Sequence, residues 1–255
     1  MVVVHCSEFN MRFLLRNKVW LLPIVVLVPI SIVALRPAPK PALKLPPVIV
    51  WAWERPEKLD FINPDQIGVA FLAKTLRLEG DRVRTRPRLQ PLELAPGTKL
   101  IAVVRIESDH PTLSPAQLQK TADEVASLSA LSNISVVQID FDATVSERDF
   151  YRALLREVKP RVPSLSITAL ASWCAGDQWL SDLPIDEAVP MLFRMGPDKM
   201  QFQSGRPFDA AICESSAGVS TDEPVNAPRV DRLYIFNPDS WSRESLNSAL
   251  EAYKK

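Results

Sequence analysis

Histidine and glycine are the informative scarcities of this 255-residue chain. Its two histidines, His5 and His110, leave almost nothing for a His-ligated catalytic metal or a histidine proton relay. Its seven glycines include no G-x-G-x-x-G and no G-x-x-x-x-G-K-[ST] spacing, so loops that cradle dinucleotide or nucleotide phosphates are missing. No G-x-S-x-G elbow occurs, which argues against ordinary triad hydrolysis. Basic runs are also lacking: Lys plus Arg and Asp plus Glu both number 30. Nucleic acid is therefore not an expected partner, because phosphate binding needs clustered cations. Neither cofactor nor metal is expected. What survives is chemistry that carboxylates can perform, or none.

The charge balance conceals an asymmetry. Arg12, Arg16, Lys18, Arg36, Lys40 and Lys44 face only Glu8 in the first 46 residues, which leaves an acidic body. After the basic leader 1–18, Val19 to Leu35 is an uncharged apolar run, about 25 Å long as a helix. That falls slightly short of a hydrocarbon core of ~30 Å, and Pro23 and Pro29 weaken it further. No small-x-small cleavage site follows cleanly, because Ile32 stands where Ala34 needs a small partner, so an uncleaved signal-anchor at 19–35 is expected. Three cations flank each side, which nearly ties the positive-inside rule. Met11 offers a second candidate start. Residues 36–47, with Pro37, Pro39, Pro41, Pro46 and Pro47, read as an extended spacer. The expected location is a bacterial inner membrane, with the body at 48–255 in the periplasm.

Within that body eight short apolar, β-rich runs recur: Val48–Glu54, Ile67–Lys74, Leu100–Glu107, Val136–Asp142, Leu165–Trp173, Ala188–Met195, Ala210–Glu214 and Leu233–Asn237. Most are apolar on both faces, as in a parallel sheet covered by helices. Ser114 and Pro115 open one helix, with Leu118, Ala122, Val125 and Ala126 on a common face. Thr144 and Glu147 form a capping box for a second, striped by Phe150, Leu154, Leu155 and Val158. Asp239 or Ser240 starts a third, with Leu246, Ala249, Leu250 and Tyr253 facing inward. The pattern predicts an α/β fold, a small (β/α)8 TIM-barrel-like domain. An open doubly wound sheet is the alternative. Some connections must be reduced, with a hairpin over Val83 to Leu94 and an irregular link from Met195 to Asp209.

The fourth run carries the chemistry. Gln138, Asp140 and Asp142 share one face, and Val137, Ile139 and Phe141 the other. Apolar residues toward the helices place the acids inside the barrel, rising to its carboxyl-terminal mouth. Buried carboxylates cost several kcal/mol unless paired. Arg105 and Glu107 end the neighbouring third run on one face. Trp53 and Glu54, Trp173, Arg194, Glu214 and Asn237 end the first, fifth, sixth, seventh and eighth runs, as candidate substrate contacts. Aromatic rings beside carboxylates suit sugars, whose rings have apolar faces and polar rims. Carboxyls at i and i+2 have β-carbons ~6.6 Å apart, compatible with the ~5–9.5 Å of glycosidase pairs. An internal ion-pair network is the competing explanation for the same residues. Cys174 and Cys213 lie on the supposed mouth side, either bridged or free.

Several of these stretches together resemble a known family: Trp51-Ala52-Trp53-Glu54-Arg55-Pro56, Gly68-Val69-Ala70-Phe71-Leu72, Val104-Arg105-Ile106-Glu107, Gln138-Ile139-Asp140-Phe141-Asp142-Ala143, Leu165 to Cys174, and Pro184 to Gly196. The family is a bacterial one filed as domain of unknown function 3142, and the resemblance implies a glycosidase-like barrel in bacteria. The fourth run is also similar to chitinase-type barrels, whose strand ends D-x-D-x-E. Asp140 and Asp142 match its aspartates, and Thr144 replaces its glutamate. The expectation is a membrane-anchored barrel that hydrolyses a glycan through Asp142, Asp140 and Glu107. The alternatives are a non-catalytic glycan-binding or envelope-assembly barrel and a purely structural domain.

Overall fold

The computed structural model describes residues 43–196, 208–223, 225 and 228–253. The expected leader, anchor and most of the Pro-rich spacer lie outside the described residues, as does most of the link expected to be irregular. Among the described residues no helix is long and apolar enough to cross a membrane.

Eight parallel strands among the described residues close into a barrel. In chain order they are β1 (Val48–Ala52), β3 (Ile67–Gly80), β6 (Leu100–Pro111), β7 (Ile134–Asp140), β8 (Leu165–Leu170), β9 (Glu187–Met191), β10 (Ser216–Ser220) and β11 (Arg232–Phe236). Each pairs with the next, and β1 pairs with both β3 and β11, which removes both sheet edges. Full helices cover only some crossovers. Helix α1 (Pro115–Ala126) lies between β6 and β7, α2 (Arg148–Val158) between β7 and β8, the single-turn α3 (Ala171–Cys174) between β8 and β9, and α4 (Arg243–Ala252) after β11.

The helix signals act locally as expected, with shifts at two ends. Ser114 accepts the Gln117 amide N–H, with Pro115 in the first turn; α1 buries Ala122, Val125 and Ala126, while Leu118 is only partly covered. The Thr144–Glu147 capping box forms, but it opens a 3-10 turn (Val145–Glu147) that leads into α2. The cap of α4 is Ser242, not Asp239 or Ser240, since Ser242 and Ser245 satisfy each other's orphan amides.

Two strand expectations need correction. The seventh strand is Ser216–Ser220, not Ala210–Glu214; Ala211–Cys213 is a 3-10 turn before it. All five strand residues are buried, yet they are small, because the interior is crowded there. A β-carbon on Gly218 would meet Trp51 Cη2 at 2.9 Å and Met191 Sδ at 3.2 Å. The hairpin expected over Val83 to Leu94 is two separate pairings. Strand β4 (Arg82–Pro87) pairs antiparallel with a long β3, which runs past Lys74 to Gly80. Strand β5 (Leu92–Leu94) pairs with β2 (Glu57–Leu59) in a small parallel sheet.

The lower interior is a closed polar network around Glu187, whose side chain is 2% exposed. Its Oε2 accepts from Tyr234 Oη (2.6 Å) and Ser166 Oγ (3.0 Å). Its Oε1 accepts from Ser216 Oγ and from Arg232 Nη1. Ser166 also receives a bond from Gln138 Nε2 (3.1 Å), and Gln138 Oε1 one from Trp51 Nε1 (3.2 Å). Arg232 further donates to the carbonyls of Pro46 (3.3 Å) and Leu43 (3.0 Å), so the chain is held against the barrel several residues before β1. Around this core, two outer clusters pack the strands' other faces against α1 and α2, and against α4.

Cys174 and Cys213 form a disulfide across a sequence separation of 39 residues, which settles a pairing the sequence left open. Cys213 sits in the turn before β10 and does not end a strand.

Arg232→Met leaves the buried Glu187 without its cation, and is expected to cost roughly 3–5 kcal/mol in urea unfolding of the chain. The double replacement Cys174→Ser, Cys213→Ser is expected to cost roughly 2–4 kcal/mol in the same measurement, while dithiothreitol should destabilise the wild type and leave this variant unchanged.

Candidate functional site

The upper interior differs from the lower one: its carboxyl groups open into a cavity. At the strands' carboxyl ends lies a space of about 250 Å³ with Trp51 and Val103 among its walls. Asp140, Asp142, Arg105 and Thr168 line it on one side, and Trp53, Phe193 and Phe236 supply aromatic surface. A second space of about 230 Å³ shares Arg105, Asp140 and Asp142 and adds Glu107 and Ser108. The acids thus line both spaces.

Strand register brings these groups together. Arg105 of β6 lies opposite Asp140 of β7. Asp140 Oδ1 accepts from Thr168 Oγ1 at 2.7 Å, and its Oδ2 lies 3.9 Å from Arg105 Nη1. Its side chain is 16% exposed. Burial raises the Asp140 carboxyl above the usual aspartate range; Thr168 and Arg105 oppose that rise, and Asp142 and Glu107 add to it. Asp142 lies two residues beyond the end of β7, so it is in a loop and the strand spacing expected for the pair does not apply. It is exposed at the rim, yet the partial burial of its carboxyl also raises it, against the pull of Arg105.

Arg105 is the hub. Its Nε is 3.2 Å from Glu107 Oε1, and its guanidinium lies over the Trp53 ring at 5.7 Å from the centroid. Trp53 meets Phe236 edge to face, and Phe236 stacks on Phe193. Arg194 covers Phe236 at 5.5 Å. The Trp53 position is fixed by Arg88, which donates to the carbonyls of Trp53 and Arg55.

Of the expected contacts, Trp53, Arg105, Glu107, Asp140, Asp142 and Arg194 are brought together. The remaining four are not. Trp173 is in α3, because β8 stops at Leu170; it is 3% exposed and packs edge to face on Trp179 in the outer layer. Glu54 pairs with Arg86 at 2.7 Å. Glu214 is exposed before the amino end of β10, since the strand begins two residues later. Asn237 is buried, accepting from Thr221 Oγ1. His110 is fully exposed. Thr168, Leu170, Met191, Phe193 and Phe236 were not singled out from the sequence. Thr168 had a legible signal: Ser166 and Thr168 are polar at alternate positions of an apolar run, as are Gln138 and Asp140 in the neighbouring one.

No cluster of His, Cys, Asp and Glu able to hold a metal occurs among the described residues.

The raised acids have a consequence for stability. A carboxyl raised in the folded state favours folding while protonated. Its contribution is fully present below the ordinary aspartate value of ~3.9 and is lost as pH rises through the folded value. Asp140→Asn keeps an acceptor for Thr168 and removes that loss. The variant is expected to melt higher than the wild type at pH 7 and to converge with it near pH 3, as followed by circular dichroism. A lower melting point at pH 7 would refute the assignment.

No curated protein and no solved structure matches the chain. Residues 96–193, the stretch that supplies β6 to β9 and the acid cluster, match the family model described as Domain of unknown function (DUF3142).

Proposed function

We propose that this protein is a carbohydrate-active barrel of the cell envelope, hydrolysing a glycan held across its mouth. The observation that carries the reading is the pair Asp140 and Asp142 at one cavity, both raised, beside Trp53 and Arg105. In this scheme Asp142, at the rim and within reach of both volumes, donates a proton to the departing glycosidic oxygen. Asp140 is the ionised partner, a form that the Thr168 hydroxyl and the Arg105 charge favour against burial, and it stabilises the developing positive charge or activates water. Glu107 holds Arg105 in place. The Trp53 face receives a sugar ring.

Envelope placement has two supports. The apolar run at 19–35 follows a basic leader, and the Cys174–Cys213 bridge fits an oxidising compartment such as the periplasm.

A non-catalytic glycan-binding barrel is the second reading, and one observation favours it. Thr144, where chitinase-type barrels place their acid, is a helix cap, and the nearby Glu147 is turned back onto Thr144 within the capping box. Two carboxyls must then do what such barrels do with three.

A polysaccharide-degradation screen on the full chain, followed by Asp142→Asn on the substrate found, separates these readings. Hydrolysis predicts turnover reduced by roughly 10²–10⁴ with binding retained, as for loss of a general acid. Binding without turnover in wild type and variant alike makes the protein a lectin. A wild type that neither binds nor cleaves any glycan removes both readings.

A further inference from the structure

The mouth holds two arginines in different electrostatic situations. Arg105 is compensated by Glu107 at 3.2 Å and faces Asp140. Arg194 is paired more loosely, with Asp222 and Glu223 beside it. Among the described residues its ion-pair partner is Asp222, with Nη2 to Oδ2 at 3.9 Å, which is beyond hydrogen-bond range. Asp222 instead accepts from Ser220 through its other oxygen. The Arg194 side chain is 61% exposed.

Arg194 is nevertheless held in position. Its guanidinium rests on Phe236, whose ring is stacked on Phe193. Its backbone adopts φ +54°, a left-handed conformation costly for a side-chain-bearing residue, and its amide N–H donates to Glu223 Oε2 at 3.1 Å. A guanidinium laid on a ring keeps its planar fork of N–H donors for a planar, singly charged acceptor, which a carboxylate matches.

Its place in the mouth completes the argument. A third space of about 150 Å³, at the ends of β8 and β9, shares Leu170, Met191, Phe193 and Arg194 with the central one. Arg194 therefore stands where the central cavity meets this third space, and Asp140 and Asp142 where it meets the acidic one. A ligand crossing all three spaces can place an anionic group on Arg194, where it would replace the loose Asp222 contact, and a glycosidic bond at Asp140 and Asp142. A doubly charged phosphate would meet more repulsion from the same acids than a single carboxylate.

We propose that the ligand is an acidic glycan, a uronic-acid oligosaccharide whose carboxylate is received by Arg194 while a neighbouring ring covers Trp53 and a glycosidic bond lies at Asp140 and Asp142. This rests on the carbohydrate reading above and deepens it by assigning Arg194 as the specificity-determining residue.

The test uses the full chain and isothermal titration with trisaccharides of galacturonate, glucuronate and mannuronate, each beside its methyl ester. The ester keeps the ring faces and removes the charge. At least one acid form is expected to bind tenfold or more tightly than its ester. Arg194→Gln should weaken that acid form roughly ten- to a hundredfold and the ester far less, as for loss of a charge-assisted hydrogen bond. Added salt should weaken the acid form alone, and Arg194→Lys should recover part of the affinity. Arg194 is largely exposed, so thermal melting of these variants should match the wild type. Equal binding of acid and ester, or equal weakening of both by Arg194→Gln, overturns the proposal and leaves the carbohydrate reading intact. Binding confined to neutral cello- or chito-oligosaccharides has the same meaning. If no sugar of either kind binds, both readings fall.

Discussion

The barrel depends on one carboxylate that must stay buried. Glu187 on β9 takes hydrogen bonds from Ser166 on β8, Ser216 on β10, and Arg232 and Tyr234 on β11. Removing a charge from water is costly, and only a full set of donors in good geometry offsets it. Four side chains from three other strands must therefore converge at one height, which fixes the register of a stretch where β9 and β10 share little ladder. Arg232 carries the constraint across the seam, because it also holds the carbonyls of Leu43 and Pro46 ahead of β1. The last strand is thus tied to the chain that leads into the first.

That closed lower half sets off the open upper half. Below, the polar interior is paired and sealed; above, Asp140 has one hydroxyl donor and a guanidinium at 3.9 Å, and Asp142 reaches solvent. Both acids are raised because burial is only partly offset. The division answers the question that acids in a barrel strand pose. Ion pairs occur at both heights: Glu187 with Arg232 is sealed below, whereas Arg105 with Glu107 and Asp140 lines the cavities above.

The aromatic wall follows from where strands end. β8 gives out at Leu170 and turns into α3, so Trp173 is carried into the outer layer against Trp179. Trp53 remains in the mouth because Arg88, from the far side of β4, fastens the carbonyls of the β1 exit. Phe236 and Phe193 complete the wall opposite Arg105. Similar residues thus had different fates, because Trp53 directly follows β1 whereas Trp173 lies three residues past β8, within α3.

The sequence by itself determined a parallel sheet with helices between strands, the helix caps at Ser114 and Thr144, and the common face of Gln138 and Asp140, because these follow from local apolar patterning and short-range hydrogen bonds; closure into a barrel, and not an open sheet, came from β1 pairing with both β3 and β11. It also placed Arg105 beside Asp140, since consecutive strands of a barrel are neighbours. Only the tertiary structure decided the seventh strand, the partners of Glu187, the disulfide, and the exclusion of Trp173, Glu54, Glu214 and Asn237 from the mouth. The reason is common to all four. A strand of Ser, Ala and Gly is chosen by the space left under Trp51, and a side chain's partner or exposure is chosen by what other strands bring to the same height. Neither quantity is local, so neither can be read from the chain's own periodicity.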